Sequence, residues 1–122
     1  MSEDVFRKTL VTVFTAIQKE FPEFDRQIKK CYINYNKSDI NEYITFTKNS
    51  FKPYLKSILT SDTNMFEKEE KVKLIRGLDF KEIWATHPNE FLFLWGHLQR
   101  LYISIYNYIS NYSRIRPHYG PH

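Results

Sequence analysis

The stretch from Phe91 to Tyr112 constrains the fold more than any other part of the chain. Phe91, Leu94, Trp95, Leu98, Leu101 or Tyr102, Ile105, Ile109 and Tyr112 recur at the three-to-four spacing of one helix face. Leu92, Phe93, Ile103 and Tyr106 fill much of the remaining circumference. A helix apolar nearly all round is a buried helix, and at about 25 residues it spans roughly 37 Å, the width of a small domain. The pattern therefore predicts a long, aromatic-rich C-terminal helix as the central element, with Pro88 able to serve as its first residue. His97, Gln99, Arg100, Asn107 and Asn111 interrupt the apolar run, which falls short of the ~20 mostly apolar residues a bilayer span requires.

The remainder reads as shorter helices arranged to cover it. Ser2, with Glu3 and Asp4 behind it, predicts a helix start, and Phe6, Leu10, Val13, Phe14 and Ile17 continue it to about Glu20. Pro22 fits the opening of a second helix, carried by Phe24, Ile28, Cys31, Tyr32 and Tyr35 to about Asn36. Ser38 or Asp39 caps a third segment, which Pro53 must break or kink between about Asn49 and Pro53 because it lacks an amide donor and clashes one turn back. Asp62-Thr63-Asn64 caps a short stretch around Met65 and Phe66, and the mixed-charge run Glu67 to Lys71 reads as a solvated helical face. Gly77 suits a helix C-terminus, and Asp79 three residues before Glu82 has capping-box spacing. The expectation is an all-α fold, a compact bundle of five to six helices, forming one domain over residues 1–113 with a basic, Pro- and Gly-containing tail over 114–122.

Candidate chemistry is sparse. One cysteine, Cys31, allows neither an internal disulfide nor a multi-cysteine zinc site and reads as a small core residue. Of the histidines, His97 reads as an interior hydrogen-bonding group, and His118 and His122 bracket three tail residues without forming a metal-ligand pattern. With three glycines there is no phosphate-binding loop and no nucleophile elbow, so no catalytic residue, metal or cofactor is expected and the chain is read as non-enzymatic. Charges at Glu3, Asp4, Arg7, Lys8 and Lys19 are unlike a secretory signal, which predicts a chain that stays inside the cell.

Two binding classes remain. Aromatics make 17% of the chain, more apolar perimeter than a domain of this size easily covers. This points to a protein partner or self-association through Phe93, Ile103, Tyr106 and Tyr112. The alternative is nucleic acid. After Glu90 no acidic residue occurs, so Arg100, Arg114 and Arg116 make the last quarter locally positive, and Tyr112 and Tyr119 set stacking surfaces beside those cations.

Met65-Phe66, the segment Gly77-Leu78-Asp79-Phe80-Lys81-Glu82-Ile83-Trp84, and Leu94-Trp95-Gly96-His97-Leu98-Gln99-Arg100-Leu101-Tyr102 together resemble a pattern in small helical proteins of the nucleocytoplasmic large DNA viruses. The resemblance covers the C-terminal half and implies a viral setting: host cytoplasm or viral factory, with packaging in the virion as a structural component. It carries over no catalytic residue. Phe, Tyr, Ile, Asn and Lys make 51 of 122 residues while Ala and Gly total 5, a usage that follows A+T-rich codons and agrees with such an origin.

Overall fold

Ser2–Glu20 form α1, with Glu3 and Asp4 at its positive end and Phe6, Leu10, Val13, Phe14 and Ile17 fully buried along one face. A computed structural model describes the backbone of residues 2–115 and the side chains of residues 3–110. Pro22 opens a single 3₁₀ turn, Pro22–Phe24, where its missing amide breaks no helical bond, and α2 follows as Asp25–Lys37. Asp39 caps α3 (Ile40–Phe51), its carboxylate accepting from the Glu42 amide at 3.1 Å. Pro53 acts as its chemistry requires: α3 stops, a 3₁₀ turn runs Lys52–Tyr54, and α4 resumes as Leu55–Leu59.

The end of α4 is closed twice. The Ser61 amide donates to the Ile58 carbonyl (3.2 Å) and the Asp62 amide to the Ser57 carbonyl (2.8 Å), with Ser61 at φ 55° in the left-handed position usually given to glycine. Gln99, from the last helix, adds a side-chain donor to the Ile58 carbonyl at 2.9 Å. Asp62 then accepts from the Asn64 amide at 3.0 Å and starts α5 (Asn64–Glu67), which buries Met65 and Phe66.

Three expectations are overturned in the next segment. The charged run Glu67 to Lys71 is solvated but not helical beyond its first residue, because α5 ends at Glu67. Gly77 ends no helix. Its φ of +86° places it in the turn of a hairpin, in which β1 (Lys73–Ile75) pairs antiparallel with β2 (Leu78–Asp79), Ile75 opposite Leu78. A helix C-terminus and a hairpin turn both use this left-handed conformation, so the glycine specifies the backbone angle without specifying the element. The hairpin is anchored by Asp79, whose Oδ1 accepts from the Val72 amide (2.9 Å) and from the Lys81 amide (3.0 Å), capping α6 (Phe80–Thr86) with the same atom. Glu82 does not complete the expected capping box; it accepts instead from Gln27 of α2 at 3.3 Å.

The last helix, α7, is Leu92–Ile115. Pro88 lies ahead of it, in a turn closed by the Phe91 amide on the His87 carbonyl at 3.0 Å, rather than at its first position. Leu94, Leu98, Leu101 and Ile105 are buried against α1, with α3 and α4 alongside. The same core continues between α5, α6 and the start of α7. In it Phe66 stacks on Trp84 (5.4 Å between centroids) and meets Phe91 edge-on (5.1 Å) and Trp95 at 5.9 Å. Helices thus carry the fold, and the hairpin is the only sheet among the described residues. α7 is not, however, the wrapped central element that its composition predicts. The earlier helices cover one side of it, and Leu92, Ile103 and Tyr106 are left 70, 52 and 60% exposed.

One core polar group is poorly served. Tyr43 is 1% exposed, with its ring edge-on to Tyr35 (5.1 Å) and Phe6 (6.2 Å), and its hydroxyl has no hydrogen-bond partner among the described residues. Burial pushes the Tyr43 hydroxyl far above its usual ionisation range, so it stays protonated. Removing an unpartnered buried hydroxyl forfeits no bond. Tyr43→Phe should therefore leave stability unchanged or raise it by up to about 1 kcal/mol in urea denaturation. A loss of more than about 1 kcal/mol would mean that a bound water or another group satisfies the oxygen.

Candidate interaction surface

At about 100° per residue, Leu92, Gly96, Gln99, Ile103 and Tyr106 fall within a sector of about 80° on α7, opposite the buried stripe through Leu94, Leu98, Leu101 and Ile105. Their spacing alternates four and three, the seam pattern by which one helix receives another. Leu59 of α4, 50% exposed, lies beside the seam, since Gln99 reaches both the Ile58 and the Leu59 carbonyl. Other exposed apolar side chains, Val5, Val11 and Ile33, lie on α1 and α2, and Phe46 is covered by the Arg76 guanidinium at 4.3 Å from its ring centre. Apolar residues exposed singly are ordinary on any protein; several along one helix face are not.

Gly96 stands in this seam. A β-carbon built there would have as its three nearest neighbours atoms of the Arg100 guanidinium, the closest at 3.4 Å. Packing inside the fold therefore does not demand a glycine, which in a helix interior is less favourable than alanine by about 1 kcal/mol. Sequence reading missed both Leu92 and Gly96 as site residues. The four-three alternation on the face opposite the core stripe was the signal that could have found them.

The residues singled out from sequence separate into distinct places. Ile103 and Tyr106 are together on the exposed face. Phe93 is about 80° round the helix from Ile103 and turns inward, half-buried, with its ring 5.5 Å from Phe21 and 5.9 Å from His97. Arg100 borders the face but folds back, donating to His97 Nδ1 at 3.1 Å. His97 forms the expected hydrogen bond but is half-buried rather than interior; burial first, and Arg100 second, hold its pKa below the usual histidine value. Tyr112 and Arg114 belong to the α7 backbone, while their side chains, along with Arg116, Tyr119, His118 and His122, lie outside the described residues. Arg26, Lys29 and Lys30 are exposed on α2, where Lys29 pairs with Asp25 at 2.9 Å.

At the base of α7 sits a clamp not anticipated from sequence. His87 bonds through Nε2 to Glu23, beside α2, and through Nδ1 to Glu90 at 3.2 Å, while its ring lies 4.5 Å from that of Phe21. The Glu23 hydrogen bond first, and Glu90 after it, raise the His87 pKa above the usual histidine value. A raised folded-state pKa means that the stabilisation is complete below the unfolded value near 6.5 and is lost as pH rises through the higher folded value. His87→Gln should accordingly narrow its stability deficit relative to wild type as pH rises from about 6 to above the folded pKa, measured by thermal unfolding. The His97 contribution is common to both proteins and cancels. A pH-independent difference would show that the clamp carries no charge.

Other polar features are engaged structurally. Cys31 is 2% exposed and burial pushes its thiol up to about 11, so it stays protonated at neutral pH and is a poor nucleophile. An open cleft of about 520 Å³ between the hairpin, α6 and α2 is lined by Lys73, Asp79, Lys81 and Glu82 among others. There Asp79 holds two amides, Lys81 bonds the Glu69 carbonyl, and Glu82 holds Gln27. Among the described residues no group of three or more His, Cys, Asp or Glu side chains is arranged to hold a metal ion, and no helix is long and apolar enough to cross a membrane. Comparison with known proteins returns no match: neither a family model, nor a curated protein, nor a solved structure is similar to this chain.

Proposed function

We propose that this protein is a non-enzymatic interaction component that receives a helical partner on the solvent face of α7. The observation that carries this reading is the row Leu92, Gly96, Ile103 and Tyr106: three large apolar side chains more than half exposed, at seam spacing, around a glycine that the fold's own packing does not require. The proposed setting is that of a viral helical protein acting as a structural component, supported by the resemblance of the C-terminal half and by the A+T-type residue usage. For the nucleic-acid reading, Arg100 is the one named residue whose side chain is described, and it is turned onto His97 rather than presented with other cations. The partner reading is therefore preferred.

A photo-crosslinking amino acid placed at Ile103 or Tyr106, in cells producing the protein, tests it. Defined protein adducts are expected from both positions and none from the equally exposed control Ile33 on α2. Absence of adducts from 103 and 106, or equal adducts from 33, would overturn it.

A further inference from the structure

We propose that His87 is a proton-operated latch: with a proton on each ring nitrogen it ties the 3₁₀ turn Pro22–Phe24 to the turn ahead of α7, and on losing the Nδ1 proton it lets go of Glu90 and frees residues 88–90. The latch stands whether or not the α7 face carries a partner.

Nε2 of His87 is bonded to a carboxylate oxygen of Glu23, and Nδ1 to a carboxylate oxygen of Glu90 at 3.2 Å. An ionised carboxylate can only accept, so each bond needs an N–H on the ring, and imidazolium is the form that has two. Neutral imidazole keeps one N–H and turns a lone pair toward the other carboxylate, which replaces an attraction by a repulsion. Glu23 is an acceptor at neutral pH: its own backbone amide first, and His87 second, hold it below the usual carboxylate range. Among the described residues Glu23 and Glu90 are the charged groups that act on the ring. Its other neighbours are the rings of Phe21 at 4.5 Å and Phe24 at 6.5 Å, while α6 meets it through the backbone, the His87 amide donating to the Ile83 carbonyl at 2.9 Å.

Packing decides which carboxylate is released. Phe21 and Phe24 flank Glu23 in the chain, both are buried, and they hold the imidazole on that side. Glu90 stands on a turn whose residues Pro88, Asn89 and Glu90 are all exposed, closed by the Phe91 amide on the His87 carbonyl. The neutral ring therefore keeps Nε2–H on Glu23, the Nδ1 proton passes to solvent, and Glu90 leaves. Because the two carboxylates raise the His87 pKa above the usual value near 6.5, the latch is shut at about pH 6 and opens as pH rises through the higher folded value. The entry to α7 is thus tight below that transition and loose above it.

NMR of the full chain tests the latch. Long-range proton–nitrogen spectra read the ring, with the His87 signals assigned by their loss in His87→Gln, and backbone ¹⁵N relaxation reads the turn. At about pH 6 both ring nitrogens should be protonated. As pH rises, with a midpoint above about 6.5, Nδ1 should lose its proton while Nε2 keeps its own. In the same step the order parameters of Asn89 and Glu90 should fall from about 0.85 to below about 0.6. Glu90→Gln separates a latch from an incidental contact. Its carboxamide accepts from Nδ1–H through oxygen and, once flipped, donates to bare Nδ1 through nitrogen, so the bond survives in both states and the order parameters should stay near 0.85 throughout. A His87 midpoint at or below about 6.5, a neutral ring with its proton on Nδ1, order parameters in wild type that ignore pH, or an equal fall in wild type and Glu90→Gln would each overturn the proposal.

Discussion

Phe66→Ala is expected to lower the stability of the folded chain by about 3–5 kcal/mol, read as a shift of the urea or guanidinium midpoint at constant slope. Phe66 is fully buried and is the ring shared by Trp84, Phe91 and Trp95, which come from α6, the turn before α7, and α7 itself. Truncation removes the transfer energy of a phenyl group and leaves a cavity among three large rings that cannot collapse into it without abandoning their own contacts. Against a typical folding stability of 5–15 kcal/mol, such a loss brings the chain close to unfolding at body temperature. Phe66→Leu, which keeps most of the volume, should cost less than half as much. Equal losses for the two variants would mean that the four-ring cluster is not packed as described.

The second large effect is of the opposite kind. Leu92→Asp with Ile103→Asp should leave the isolated fold within about 0.5 kcal/mol of wild type for each substitution, because both side chains already face solvent. Photo-crosslinking of the helical partner from Tyr106 should fall by at least tenfold. Two carboxylates then enter a contact that otherwise excludes water, and an unpaired charge there is heavily penalised. Photo-crosslinking in cells paired with thermal unfolding of the purified protein separates the two quantities. Undiminished crosslinking would remove the α7 face from the interface, and a large fall in the thermal midpoint would show that Leu92 and Ile103 are needed inside the fold.

Much of the architecture is legible in the sequence, for local reasons. The apolar spacing of Phe6, Leu10, Val13, Phe14 and Ile17, the position of Pro22, the cap at Asp39 and the break at Pro53 act within one or two turns, and each lies where the local chemistry puts it. The hairpin is different. Val72, Lys73 and Leu74 alternate in burial, but Ile75 is buried directly after Leu74 and a bulge between Lys73 and Ile75 breaks the two-residue period. With three residues in one strand and two in the other, no window is long enough to outweigh the helical pattern on either side. The Arg76-Gly77 pair between apolar residues was the remaining signal, and it serves a hairpin and a helix end alike.

The site was legible only in part, because amphipathicity around α7 depends on what packs against it. Ile103, Tyr106 and Phe93 look equivalent in composition, yet Phe93 is taken up by Phe21 of the N-terminal segment, more than 70 positions earlier, while the other two face solvent. The His87 clamp has the same origin. Glu23 is 64 residues away, and no local pattern announces the meeting.

Hydroxyl-radical footprinting of the protein inside the cells that produce it, set against the purified protein, tests the docking face most directly. Val5 and Ile33, at 51 and 54% exposure on α1 and α2, serve as internal references for Leu92, Ile103 and Tyr106. The expected result is that labelling of Leu92, Ile103 and Tyr106 is lower together in the cell than in the purified protein while Val5 and Ile33 keep theirs. Equal labelling of all five residues in the two settings, or protection confined to Val5 and Ile33, would contradict it.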